Sequence, residues 1–412
     1  MTSITPLKID IPEEKLSDLR YRLVNAKLPD ELDEAGWDLG TPVAEARRLS
    51  QYWRDKFDWR AAEAKLNQLP HFMTQIAVAG FDTLNIHFIH QKSPVESAIP
   101  LLYVHGWPGS FLEGTKIVQA LSGDGTSDPA FHVVVISLPN FGFSEAPKKR
   151  GFALEQYAET CHNLMQQLGY PQYVTQAGDW GYYITRTMAL QYPDSLKATH
   201  MNFDHGFCPP ALYRYPHLVV EPTLMPDVKS GAEGSEGYGW FTDESIGYRA
   251  LQATKPTSAS YGVTDSPIAL LAWLYEKLHD WSHNYPWSEE EVCLWVSIYW
   301  FSTAGPGSSF RIYHETTHSR EANNATKLNP ARTGAWINSA KIGYSHFPLG
   351  FPNDPRPWIQ KLGPIVYDNH HENGGHFFAW EVPDVFVKDV RDMFRKEGGA
   401  YGMVPGHDGY LS

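Results

Sequence analysis

Three short stretches carry side chains that could do chemistry together. In Gln176-Ala177-Gly178-Asp179-Trp180-Gly181-Tyr182 a β-rich lead, PQYVTQ, runs into small residues and then into a helix-like stretch, YYITRTMALQYP. Strand, sharp small-residue turn and helix are what a nucleophile elbow requires, and here the apex is aspartate rather than serine. Asp179 would then project, exposed, above the carboxyl edge of a sheet. Aspartate is also a favoured helix N-cap, so these positions alone leave both roles open. His105-Gly106-Trp107-Pro108-Gly109-Ser110 follows the apolar run PLLYV. From there the backbone N–H groups of Trp107 and Trp180 could converge on one developing oxyanion. Gly374-Gly375-His376 follows the apolar GPIVYDN, and its glycine-flanked turn lets the His376 imidazole reach across the sheet edge as a general base. The chain has 18 histidines, and His370 and His371, lacking that setting, read as ordinary surface or core residues.

A carboxylate nucleophile makes an ester with its own labile carbonyl, so the second half-reaction must be attack of water on the aspartate carbonyl carbon, with histidine acting on the water. That division of labour suits substrates attacked at sp3 carbon with a strained or poor leaving group, chiefly epoxides and alkyl halides. The oxygen of an opening epoxide leaves as an alkoxide and needs acids to meet it. Tyr248 in SIGYRALQATKP and Tyr313 in SSFRIYHE would serve.

These residues need elements to hold them. At 412 residues, 42% hydrophobic and 14% aromatic, the chain can bury one large core with an elaborated lid, or two modest domains. A net charge of −13 with no Lys/Arg stripe argues against a nucleic-acid partner. Cys161, Cys208 and Cys293 stand far apart, suggesting neither a disulfide framework nor a metal site, and a reducing cytoplasmic compartment is expected. The N-terminus has no signal-like apolar region and nowhere do about 18 apolar residues run together, so no membrane anchor is expected.

Four segments are legible. Residues 1–90 mix amphipathic helices with a strand pair near FMTQIAVAG and LNIHFIHQ, as a wrapping arm. Residues 91–205 alternate buried strands (PLLYVHG, FHVVVISLP, QYVTQAGD, LKATHMNF) with helices (SFLEGTKIVQALS, LEQYAETCHNLMQQLG), which implies a mostly parallel α/β sheet. Residues 206–333 abandon that rhythm for aromatic helices and Gly/Ser/Pro loops, a helical cap whose Trp273, Trp281, Trp295, Trp300 and Phe301 suit a hydrophobic ligand or core packing. Residues 334–412 resume the sheet and close in a helix with Phe386, Val390, Met393 and Phe394 on one face.

Nearly end to end, the chain resembles a microsomal-type epoxide hydrolase in its soluble fungal or bacterial form. The likeness is carried by SQYWRDKFDWRAAEAKLNQLPHF, HGWPGSF, GFSEAP, AGDWG, YRALQATKP, FRIYHE and GGHFFAWEVPDVF. It implies an α/β-hydrolase fold with a helical cap and an N-terminal arm, and a cofactor-free enzyme. Its site would comprise Asp179 as nucleophile, His376 as base, Tyr248 and Tyr313 as ring-oxygen donors, and Trp107 with Trp180 as the oxyanion hole. A homodimer is plausible by the same analogy.

One position departs from the family. Its charge-relay acid belongs in a segment written F-P-x-[E/D], and here Phe347-Pro348-Leu349-Gly350 puts glycine in that place. Asp354 in FPNDPRP and Asp204 after KATHMNF are the two conceivable replacements, although Asp354 sits in a turn-like N-D-P context. Without an acid the imidazole is less well oriented. The leading reading is hydrolysis of an epoxide to a vicinal diol. An epoxide-opening cyclase, a ligand-binding pseudo-enzyme and a haloalkane dehalogenase stand as alternatives.

Overall fold

The structure is a computed structural model that describes residues 3–202, 244–319, 333–348 and 359–411. Nine strands build its sheet: β1 (Thr5–Pro6), β2 (His71–Ile76), β3 (Leu84–Gln91), β4 (Ile99–Val104), β5 (Phe131–Ile136), β6 (Tyr173–Ala177), β7 (Leu196–Met201), β8 (Lys341–His346) and β9 (Ile365–His370). Their spatial order is β1-β2-β3-β5-β4-β6-β7-β8-β9. From β5 to β9 every pairing is parallel, whereas β1, β2, β3 and β5 pair antiparallel.

Burial on both faces explains why the central strands read as unbroken apolar runs. All six residues of β4 and all five of β6 are buried. Each large aliphatic side chain fully buried there contributes about 1.5–3 kcal/mol relative to an exposed one. The chain passes from β4 outward to β5 and returns to place β6 on the other side of β4. This reversal opens a crevice at the carboxyl ends of β4 and β6, where ligands bind in open α/β sheets. Val104 and Ala177 are paired at those ends, so the two turns that follow emerge side by side.

Residues 1–90 do more than wrap. Their three strands extend the sheet, and their helices brace the helical cap through Trp53 Nε1 donating to Ser297 Oγ (2.9 Å) and Arg48 pairing with Glu289 (2.7 Å). Among the described residues the cap comprises helices Gly247–Thr254, Pro256–Asp265, Pro267–Asp280, Glu289–Trp300 and Arg311–His318. Starts of the two longest are written in the sequence. Ser266 caps the amide of Ala269 ahead of a first-turn proline, and Ser288 with Glu291 forms a reciprocal capping box.

The helix expected over SFLEGTKIVQALS is instead two single turns, Leu112–Thr115 and Val118–Leu121. Gly114 packs so closely on Val135 that a β-carbon there would collide with it, and Gly and Thr are weak helix formers. The closing helix, Pro383–Phe394, buries Phe386, Val390, Met393 and Phe394 as its spacing requires. No helix among the described residues is long and apolar enough to cross a membrane.

Candidate active site

Asp179 stands at the turn between β6 and the helix Asp179–Gln191, with φ at +47°. Left-handed backbone at a non-glycine residue is strained, as a nucleophile elbow demands. Its small neighbours are steric necessities: a β-carbon on Gly178 would meet the Asn202 side chain at 2.9 Å, and one on Gly181 would run into the Val104 carbonyl. The N-cap position belongs to Gly178, and no side chain caps this helix. The capping role is thereby set aside.

The carboxylate looks across to the turn after β4 instead. Asp179 Oδ1 accepts the Trp107 amide at 2.8 Å, and the Asp179 carboxylate is also bonded by the Trp180 amide, so the two amides meet on one side chain. Gly106 makes this approach possible, since any side chain there would strike the Asp179 carboxylate. The expectation of an exposed apex is corrected: the Asp179 side chain is only 12% exposed, because the cap closes over it. Burial pushes its carboxyl up to about 7, against the pull of the two amides and of the Arg249 charge.

His376 Nε2 lies 3.8 Å from Asp179 Oδ2, close enough for a water-sized reactant to be shared between them. Burial drives the imidazole down to about 3, so it is neutral at physiological pH and able to accept a proton. His370 is mostly exposed, and His371 is paired with Asp389 at 2.5 Å; neither is a rival base.

From the cap, Tyr248 and Tyr313 reach the same space, their hydroxyls hydrogen-bonded to one another and their rings 5.9 Å apart. Aromatic packing holds them. Tyr248 stacks on Trp107 at 5.1 Å, and Tyr313 meets Trp180 edge-on at 4.8 Å while also receiving a hydrogen bond from its indole. Burial raises both phenols above their usual range, which keeps them protonated. The Trp107 turn is tied to the cap as well, through Trp295 Nε1 donating to Pro108 O (2.7 Å) and Tyr299 OH donating to Gly109 O (2.6 Å).

Asp204, Asp354 and Gly350, the positions that bear on the charge-relay acid, lie outside the described residues. Several neighbours of the site were given no role in it by sequence reasoning, Trp281 having been named only among the cap aromatics. Trp281 stands between His376 (5.0 Å) and Tyr248 (5.2 Å), and the Lys277 ammonium sits 4.8 Å over the Tyr248 ring. Glu113, raised by burial to about 8, accepts a hydrogen bond from Tyr103 OH. Glu381, raised to about 7, accepts amides around His376. Only their proximity in sequence to HGWPG and GGH could have flagged the two glutamates.

The chain's similarities to known proteins point to one family. Residues 4–114 match the family model described as Epoxide hydrolase N terminus, and residues 99–202 match that of the alpha/beta hydrolase fold. A protein of Stigmatella aurantiaca is 35% identical across 95% of this chain and 85% of its own length. The juvenile hormone epoxide hydrolase of Bombyx mori is 32% identical across 94% of this chain and 86% of its own. The solved structure of the Aspergillus niger epoxide hydrolase superposes with a TM-score of 0.79 at 30% identity, covering 94% of this chain and 95% of that one.

Proposed function

The chain belongs to the epoxide hydrolase family, and on that premise we propose that it opens a hydrophobic epoxide through a covalent ester on Asp179 and hydrolyses the ester to a vicinal diol. One observation carries the reading. The carboxylate at the strained elbow has one oxygen pinned by the Trp107 amide and the other facing neutral His376, beneath the paired hydroxyls of Tyr248 and Tyr313.

In the first half-reaction an Asp179 oxygen forms a bond to an epoxide carbon as that carbon's bond to the ring oxygen breaks. The leaving alkoxide takes a proton from one phenol while the other phenol donates a hydrogen bond to it. In the second, His376 removes a proton from water and the hydroxide adds to the Asp179 carbonyl carbon. Negative charge develops on the oxygen that the Trp107 and Trp180 amides hold. Collapse releases the diol oxygen, which takes the proton from His376, and the carboxylic proton of Asp179 returns to the phenolate. Atoms and charges then balance as epoxide plus water giving diol.

The Trp180 indole is engaged with Tyr313, which disfavours the halide-binding role a dehalogenase would give it. For the charge-relay acid, Asp204 and Asp354 remain the proposed replacements for the carboxylate missing at Gly350. Changing the true partner to Ala should slow ester hydrolysis more than ester formation.

The test is product analysis with a panel of aryl and alkyl epoxides in 18O-labelled water. A vicinal diol is expected, with label entering the Asp179 carboxyl in the first turnover. A cyclic ether, or no product from any epoxide, would overturn the reading.

A further inference from the structure

The turn that carries His376 has its backbone donors gathered by two acceptors. Phe377 N–H donates to Glu381 Oε1 at 2.9 Å, and the Gly375 amide donates to the same carboxylate. Between them, His376 N–H donates to Trp281 O at 2.8 Å. The second oxygen of the carboxylate, Oε2, accepts the His283 amide at 2.9 Å. Glu381 therefore holds the residues on both sides of the base, and with its other oxygen holds the cap segment that binds the base's own amide.

Two further features favour a positioning role over simple packing. A β-carbon on Gly375 would meet Trp281 O at 2.6 Å, His283 N at 2.8 Å and Glu381 Oε1 at 3.0 Å, so glycine there is what admits this junction. Glu381 is itself only 8% exposed, and a buried carboxylate is costly unless its lone pairs are satisfied. Three amide donors converging on one side chain offset that cost, and their directions fix where the turn stands. A carboxylate is suited to this because both its oxygens are acceptors. An amide in its place would turn an NH2 group toward one set of N–H donors.

We propose that Glu381 is the positioning residue for His376: its carboxylate clamps the amides of Gly375 and Phe377 to the cap segment at His283, setting the imidazole against the Asp179 ester. Glu381 touches no reacting atom and acts through His376. The proposal rests on the covalent reading above. It differs from the charge-relay role, because the clamp acts on the backbone of the turn and not on the imidazole ring.

The test is single-turnover kinetics with mass spectrometry of the intact protein, applied to Glu381→Gln, Glu381→Ala and His376→Ala alongside the unaltered chain. Misplacing a reacting group by about 1 Å costs on the order of 10²-fold. Glu381→Gln should lower ester hydrolysis by up to about that factor while ester formation and kcat/KM change less than about threefold, so that KM falls with kcat and alkylated Asp179 accumulates. Glu381→Ala should do so more strongly, the glutamine variant lying between it and the unaltered chain. Equal slowing of both half-reactions, or unchanged hydrolysis in Glu381→Gln with an unaltered melting profile, would overturn the proposal. His376→Ala separates the two levels of inference: if it too accumulates no ester, the covalent reading fails, whereas ester there but none in the Glu381 variants rejects the clamp alone. Should Glu381→Ala fail to fold, Glu381→Gln, which keeps volume and one acceptor, still decides.

Discussion

The two walls of the site are built on different physics. On the sheet side, Asp179, the two amides and His376 hang from strand ends and tight turns, each placed by backbone geometry and glycine contacts. On the cap side, Tyr248 and Tyr313 are 5% and 3% exposed and are held by rings, chiefly Trp107, Trp180 and Trp281. A wall set by backbone has one geometry, whereas a wall set by stacked rings can re-pack at modest cost. Chemistry at the sheet wall should therefore fail outright when altered, and chemistry at the cap wall should degrade by steps.

The largest effect is expected at Asp179. Asp179→Ala should lower kcat by about 10⁴-fold or more. Its stability should move the other way with pH. The folded carboxyl is raised to about 7 from an unfolded value near 4, so the native state's preference for the proton stabilises the fold below about pH 4 and is lost as pH rises through 7. Thermal midpoints at pH 5 and pH 8 should show the variant gaining on the unaltered chain at the higher pH. The same shift sets activity: kcat/KM should fall with unit slope as pH drops below about 7, with no imidazole limb between pH 5 and 8, because His376 titrates near 3. An acid limb near pH 4 would contradict the buried nucleophile.

Next comes His376→Ala, for which kcat should drop by about 10³-fold while ester formation persists. The check is a burst of alkylation, read as intact mass, followed by turnover slowed to that extent.

At the cap wall, Tyr248→Phe and Tyr313→Phe should each cost about 10²–10³ in the rate of ester formation and leave ester hydrolysis nearly intact. Their hydroxyls share a hydrogen bond, so the double variant should lose less than the product of the two. If both single variants slowed hydrolysis instead, the division between the walls would be wrong.

The smallest effect tests the contact that joins the walls. Trp295→Phe removes the indole N–H donated to Pro108 O and should destabilise the fold by about 1 kcal/mol, with less than about tenfold loss of kcat. Chemical denaturation and steady-state rates would measure both.

Legibility of the fold and site followed the same division. The central strands could be read because burial on both faces makes them continuous apolar runs, and the expected strands from PLLYV to GPIVYDN all appear. The elbow was legible because a strained turn admits so few residue types at its flanks. SFLEGTKIVQALS misled because Gly114's contact with Val135 overrode an amphipathic pattern. The arm's strands gave no sign that they would extend the sheet, since edge pairing depends on neighbours distant in sequence.

By itself, the sequence determined which groups were nominated for the site. Asp179, His376 and the Trp107 turn are set by local strand, turn and glycine chemistry, and the family likeness pointed to Tyr248 and Tyr313 as their partners. Only the tertiary structure decided what state those groups are in and what holds them. The Trp107 amide that pins Asp179 comes from 72 residues away, and the His283 amide on Glu381 from 98. A carboxyl is raised to about 7 by the cap that dehydrates it, not by its neighbours in the chain. Desolvation and hydrogen-bond pairing depend on everything within a few ångströms in space, and a linear pattern carries that only where the nearest atoms are also nearest in sequence.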